Sequence, residues 1–225
     1  MIQFVNTPDP VSESADPDIG MNIDRVEAFS DGVFAVAVTL LILNLQPPHL
    51  QNADSPSLLI EQLLSQWPSY LSYVISFVSI GAVWITHHQM LKYARQVDAG
   101  MQTLNLLFLM FITLTPFTTS LLAQYIQQPD KLRIALVIYG GTWEGNGICF
   151  AGLWAYMRRM KLLKPTVSPD LIRKMTLSAT MGTIGGSLGI LFALIAPPVS
   201  FFIFIAITVA YLILPFRQLF RKGKA

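Results

Sequence analysis

Charge is what this chain has least of. Asp, Glu, Lys and Arg make up 12% of its 225 residues, about half the ~25% of an ordinary soluble domain. A chain so poor in solvated side chains cannot cover a water-facing surface, which excludes a soluble globule. The net charge is only +2, and no basic cluster is interleaved with aromatics, so nucleic acid is not a partner. The single cysteine, Cys149, excludes an internal disulfide; inside an apolar block it reads as a small packing residue. Nothing matches a zincin His-Glu-x-x-His or a nucleophile elbow, and the chain is not read as an enzyme. Residues 1–24 lack the basic start and apolar centre of a signal peptide and carry Asp9, Glu13, Asp16 and Asp18. They read as a disordered acidic tail.

What the chain has instead is apolar blocks. A bilayer core of about 30 Å takes about 20 apolar residues in a helix. Six candidates are expected, near 26–45, 68–91, 102–126, 132–157, 173–195 and 199–218. The fold class is all-α membrane protein, with a six-helix transmembrane domain over 25–220 and a basic tail at 221–225. Asn22 or Asp24 can cap the first segment, and Gln46-Pro47-Pro48 ends it. Ser57–Leu64 is too short to span and reads as an amphipathic helix on the membrane surface. Pro116 is expected to kink the third segment, with neighbouring threonines satisfying freed carbonyls. Gly182, Gly185, Gly186 and Gly189 share a face of the fifth, which is expected to pack closely on another helix.

Basic residues set the orientation. With the N-terminus inside, 13 of the 15 Lys and Arg residues are cytoplasmic, and only Lys131 and Arg133 lie outside. Both termini are therefore expected in the cytoplasm.

That topology brings chemistry to one depth. Asp31 in the first segment, Trp84, His87 and His88 at the end of the second, and Asn105 near the start of the third all approach the cytoplasmic side. Buried, they need one another as hydrogen-bond partners. A metal site and a proton relay are the sharp readings. Adjacent His87 and His88 point about 100° apart on a helix, however, and do not form an i, i+4 chelating pair. A polar network joining the first three helices is the simpler reading. Glu144, a lone acid in a glycine-rich helix, can be a proton carrier or a satisfied core acid; the sequence leaves both open. On the first helix Phe29, Val36, Leu40 and Leu43 form one stripe flanked by Thr39, while Asp31 turns about 200° from Phe29. Periodicity alone gives this stripe no role beyond a core or lipid-facing surface.

Arg25-Val-Glu-Ala-Phe29-Ser30-Asp31 resembles the Arg-x-x-x-Phe-Ser-Asp signature of the transmembrane protein 175 family of potassium channels, in its bacterial single-repeat form. Trp84, His87, His88 and Asn105 fit that resemblance as parts of the signature's structural network. It implies a homotetramer in the lipid bilayer, in the bacterial plasma membrane, with helix 1 lining a central pore. It assigns the constriction to Val36, Leu40 and Leu43 and the selectivity layer to Thr39. The family lacks a Thr-Val-Gly-Tyr-Gly filter, and none occurs here. The expected function is a potassium-preferring cation channel, weakly selective over sodium, with K+ as the transported ion and no cofactor or bound metal. The alternative is a proton-conducting channel or transporter using Asp31, His87, His88 and Glu144. A membrane metalloenzyme stands further off.

Overall fold

The structure, a computed structural model, describes residues 22–48 and 55–222, the stretch 211–222 as helix backbone alone. The acidic tail therefore lies almost wholly outside the described residues, as does most of the basic C-terminal tail.

All regular structure among the described residues is helical. α1 spans Ile23–Leu40 and runs into a 3-10 turn over Leu41–Asn44. Asn22, one of the two caps expected, caps α1 by accepting the backbone N–H of Asp24 at 3.0 Å. α2 (Pro56–Ser65) is the short amphipathic element. Ser55 caps it, and Leu59, Ile60, Leu63 and Leu64 are exposed, as a helix lying on a bilayer surface requires. The long helices follow: α3 Trp67–Lys92, α4 Ala99–Tyr125, α5 Pro129–Arg159, α6 Pro169–Ile195 and α7 Pro197–Lys222. Proline stands at the first or second position of α3, α5 and α6, where its missing N–H costs nothing.

Four elements are long and apolar enough to cross a membrane: Ile23–Asn44, α3, α4 and α6. At 31 residues α5 is long enough as well, but Glu144, Asn146 and its glycines dilute it. In α7 the apolar stretch with described side chains is Pro197–Ala210. The sequence blocks thus correspond to the six long helices, four of which meet the length-and-apolarity test among the described residues.

One core, containing Phe34, Ile80, Met90, Phe108, Leu153 and Trp154, joins α1, α3, α4 and α5. Cys149 packs at its margin. A second, around Leu136, Tyr139, Ala193 and Phe204, joins α5, α6 and α7. The glycine face of α6 is used as expected. Gly189 lies under the Phe204 ring of α7, Gly185 against Ile207, and Gly186 against Glu144 of α5. Pro116 sits inside an unbroken α4. Thr115 and Thr118 hydrogen-bond to carbonyls of the same helix, and Asn44 donates to the Pro116 carbonyl at 3.2 Å.

The α3–α4 and α5–α6 connections are clasped at one end of the bundle. Arg95 N–H donates to the Leu162 carbonyl (2.7 Å) and Lys164 N–H to that of Tyr93 (2.9 Å). Asp98 caps α4 through Met101 N–H and accepts the Tyr156 hydroxyl at 3.0 Å.

Candidate functional site

α1 has two faces with opposite commitments. Val26, Ser30, Phe34, Ala37 and Leu41 are buried, at steps of four, four, three and four, which make one helical stripe. That stripe is locked onto α3 and α4. On the other side Val36, Leu40 and Leu43 are 56%, 41% and 64% exposed, and Phe29 is exposed with them. Thr39 is also exposed. Its hydroxyl donates to the Val36 carbonyl at 2.9 Å, which fixes the rotor and leaves the oxygen lone pairs facing outward.

Leu43 lies in the 3-10 turn, not in the α-helix expected through residue 45. In a 3-10 turn residues three apart eclipse. Leu40 and Leu43 therefore stack on one line, closer in direction than ideal α-helical spacing makes them.

The polar residues expected at one depth do come together, but as two separate groups. The first is buried and directional. His87 Nε2 lies 2.7 Å from Asn105 Oδ1, Asn105 Nδ2 donates to Ser30 Oγ at 3.0 Å, and Ser30 Oγ donates to the Val26 carbonyl at 2.8 Å. Since the Asn105 amide faces Ser30, its oxygen faces His87, and the imidazole carries its proton on Nε2. This chain ties α3 through α4 to α1. The His87 ring stacks on Phe108 (centroids 4.7 Å apart) and lies against Phe34.

The second group is half-exposed. Trp84 Nε1 donates to Asp31 Oδ1 at 2.7 Å, and Trp84 stacks on His88. His88 Nδ1 in turn pairs with Glu27 Oε1 at 2.7 Å. The two histidines thus serve different partners, as their ~100° separation requires. Glu27, Asp31 and His88 hold ligand-type atoms within 4.8 Å of one another, and the indole and the His88 ring each engage one oxygen of one acid. Arg25 is exposed, and its guanidinium is unpaired among the described residues.

Sequence reasoning missed Glu27 and Phe34. Glu27 was visible as the residue four before Asp31 on the same helical face. Phe34 is four after Ser30, and only its contact with His87 distinguishes it from other apolar residues.

Apolar helices, one helix held by its inner face and a largely apolar outer face place the chain among the all-helical integral membrane proteins. A family profile described as "Endosomal/lysosomal potassium channel TMEM175" matches residues 25–116. A potassium channel of Streptomyces collinus is 38% identical over 177 residues, covering 78% of this chain and 84% of that one. A potassium channel of Chamaesiphon minutus is 41% identical over 132 residues, covering 59% and 64%. The endosomal/lysosomal proton channel TMEM175 of Gallus gallus is 38% identical over 124 residues, covering 51% of this chain but 25% of its own length. The crystal structure of a lysosomal potassium-selective channel TMEM175 homolog from Chamaesiphon minutus superposes with a TM-score of 0.73 at 31% identity, over 85% of this chain and 96% of that one. A variant of the potassium channel MtTMEM175 shares the fold at a TM-score of 0.60 and 20% identity. The chain belongs to the TMEM175 family, and its class is ion channel, not enzyme.

Proposed function

We propose that this chain forms a homotetrameric, potassium-preferring cation channel whose central pathway is lined by α1. The carrying observation is the exposed line of Val36, Leu40 and Leu43, with Thr39 beside it, on a helix whose opposite face is fixed inside the subunit. Four copies about an axis would converge these residues into aliphatic rings. A hydrated cation crossing such rings sheds water with no polar atom in compensation, so a neck too narrow for water is closed. The similar proteins named as potassium channels support the same reading.

Thr39 is the candidate selectivity layer. Its donated hydrogen leaves oxygen lone pairs available to replace part of an ion's hydration shell. With no carbonyl filter, the preference over sodium is weak. The polar groups around Asn105 and Asp31 act as anchors rather than ion ligands. Both termini lie in the cytoplasm of a bacterial plasma membrane, with the clasped basic loops on that side. Protons are the competing cargo, suggested by the name of the vertebrate relatives.

Reversal potentials of the purified protein in liposomes, under separate potassium, sodium and proton gradients, test this. A potential that follows potassium, with sodium permeating less, is the expected result. One that follows only the proton gradient would replace the potassium reading.

A further inference from the structure

The peripheral helices hold a second polar site that the α1 pathway does not use. α3, α5, α6 and α7 border a partly open cavity of about 80 Å³ lined by residues including Ser79, Trp143, Asn146, Gly186, Phe204 and Thr208. Several tens of Å³ are enough for more than one water when polar partners are present. Here they are present and unpaired. Asn146 is 95% buried and its Nδ2 has no partner, and the buried Nε1 of Trp143 has the Tyr139 hydroxyl near it but makes no hydrogen bond of good geometry. Both residues face this space.

One turn of α5 also carries Glu144. Ser187 of α6 donates to its Oε1 at 3.0 Å, whereas its buried Oε2 has no partner. That oxygen lies against Gly186, where any side chain would collide with it, and Gly186 is itself a wall of the cavity. Two unpaired N–H donors and one unpaired carboxyl oxygen are a complementary set. None of them bonds directly to another, and a short water chain can join them. Unsatisfied groups at this depth are costly, and bridging waters are the usual remedy.

The charged surroundings are sparse. From α4, Phe111 faces the helix at Gly145. α6 contributes Ser187 and glycine, α7 contributes Phe204 and Thr208, and α3 contributes Ser79, whose hydroxyl meets that of Thr208 at 2.8 Å. Tyr139 is the one ionisable side chain on the cavity wall among the described residues, and no Lys, Arg or His stands there. Waters oriented by Trp143 and Asn146 can stabilise the carboxylate, and the same waters can return its proton.

We propose that this cavity is a water-filled proton-exchange site, in which Glu144 takes up and releases a proton through waters held by Trp143 and Asn146. It is separate from the α1 face and does not depend on the α1 pore reading.

Infrared difference spectroscopy of the reconstituted full-length protein, across a pH titration and a change from H2O to D2O, tests this. A protonated-carboxyl band that titrates and shifts in D2O is expected in the wild type and lost completely in Glu144→Gln. Trp143 emission, isolated by subtracting Trp143→Phe, should follow the same titration and become flat in Glu144→Gln. Asn146→Leu and Gly186→Ala keep the acid but remove a donor or fill the space, and each should slow the D2O shift severalfold. If Glu144→Gln does not assemble, these two variants decide alone. A wild type without such a band, a band unchanged in Glu144→Gln, or exchange unaltered in both cavity variants would overturn the proposal.

Discussion

Replacing Asn105 by alanine tests the physical basis of the α1 anchor. Asn105 is 2% exposed and is the middle member of the His87–Asn105–Ser30 chain. The substitution removes two hydrogen bonds together and leaves the His87 Nε2 proton buried with no acceptor. His87 Nδ1 is already unpartnered, so the ring would lose its last polar contact. An orphaned buried donor costs about 1–3 kcal/mol, and interhelical bonds in membranes average about 0.6 kcal/mol with a maximum near 1.7. Together these give roughly 2–3 kcal/mol. For a domain of this size, at about 2–4 °C per kcal/mol, the unfolding midpoint should fall by about 4–12 °C. Thermal unfolding in detergent followed by intrinsic fluorescence measures it. Thr103→Ala is the control, because that exposed hydroxyl bonds only to the Ala99 carbonyl of its own helix and should stay within about 0.5 kcal/mol. If Asn105→Ala unfolds with Thr103→Ala, the chain of bonds does not hold α1, and the contrast between its two faces loses its cause.

The remaining predictions concern the outer face and the topology. Leu40→Asn and Leu43→Asn should each wet the proposed neck and raise resting conductance, while Val36→Ala should do less; unchanged currents in both asparagine variants would remove α1 from the pathway. Thr39→Ala should lower the potassium-to-sodium permeability ratio without altering assembly, and an unchanged ratio would leave pore width as the sole discriminator. Asp31→Asn should weaken the Trp84 contact and reduce tetramer yield more than it changes selectivity. A well-assembled Asp31→Asn channel with a strongly altered ratio would place the acid in the ion's path. A cysteine at Asn52 should react with an impermeant thiol reagent from outside, and one at Thr166 only after permeabilisation; the reverse would invert the orientation.

The long helices were legible because each apolar block is a bilayer's length and most breaks carry proline, as at Pro47-Pro48 and Pro197-Pro198, while the α3–α4 break carries charge instead, at Arg95 and Asp98. The inner face of α1 was half-legible. Asp31, Trp84, His87, His88 and Asn105 could be brought to one level by counting helix directions. Their division into a buried chain and a half-exposed group could not, since it depends on the rotation of α3 about its own axis. Glu27 escaped notice because an acid at a helix entrance ordinarily looks solvated. The 3-10 turn at Leu41–Asn44 was invisible for a different reason. Leu, Ile, Leu and Asn carry no breaker, and the tightening occurs where Asn44 reaches across to α4.

That turn makes the end of α1 a screw with two pitches. From Leu40 to Leu43 a 3-10 winding advances about 6 Å through a full revolution, whereas an α winding advances about 4.5 Å through about 300°. Rewinding these few residues would swing Leu43 by about 60° off the line of Leu40 and draw it back by about 1.5 Å. The remainder of α1, bolted down at Ser30, would not need to move. Two contacts catch this thread: the buried Leu41 side chain and the bond from the Asn44 side chain to the Pro116 carbonyl. The proline long expected to bend α4 is thereby the fixed point against which the last leucine of α1 is set.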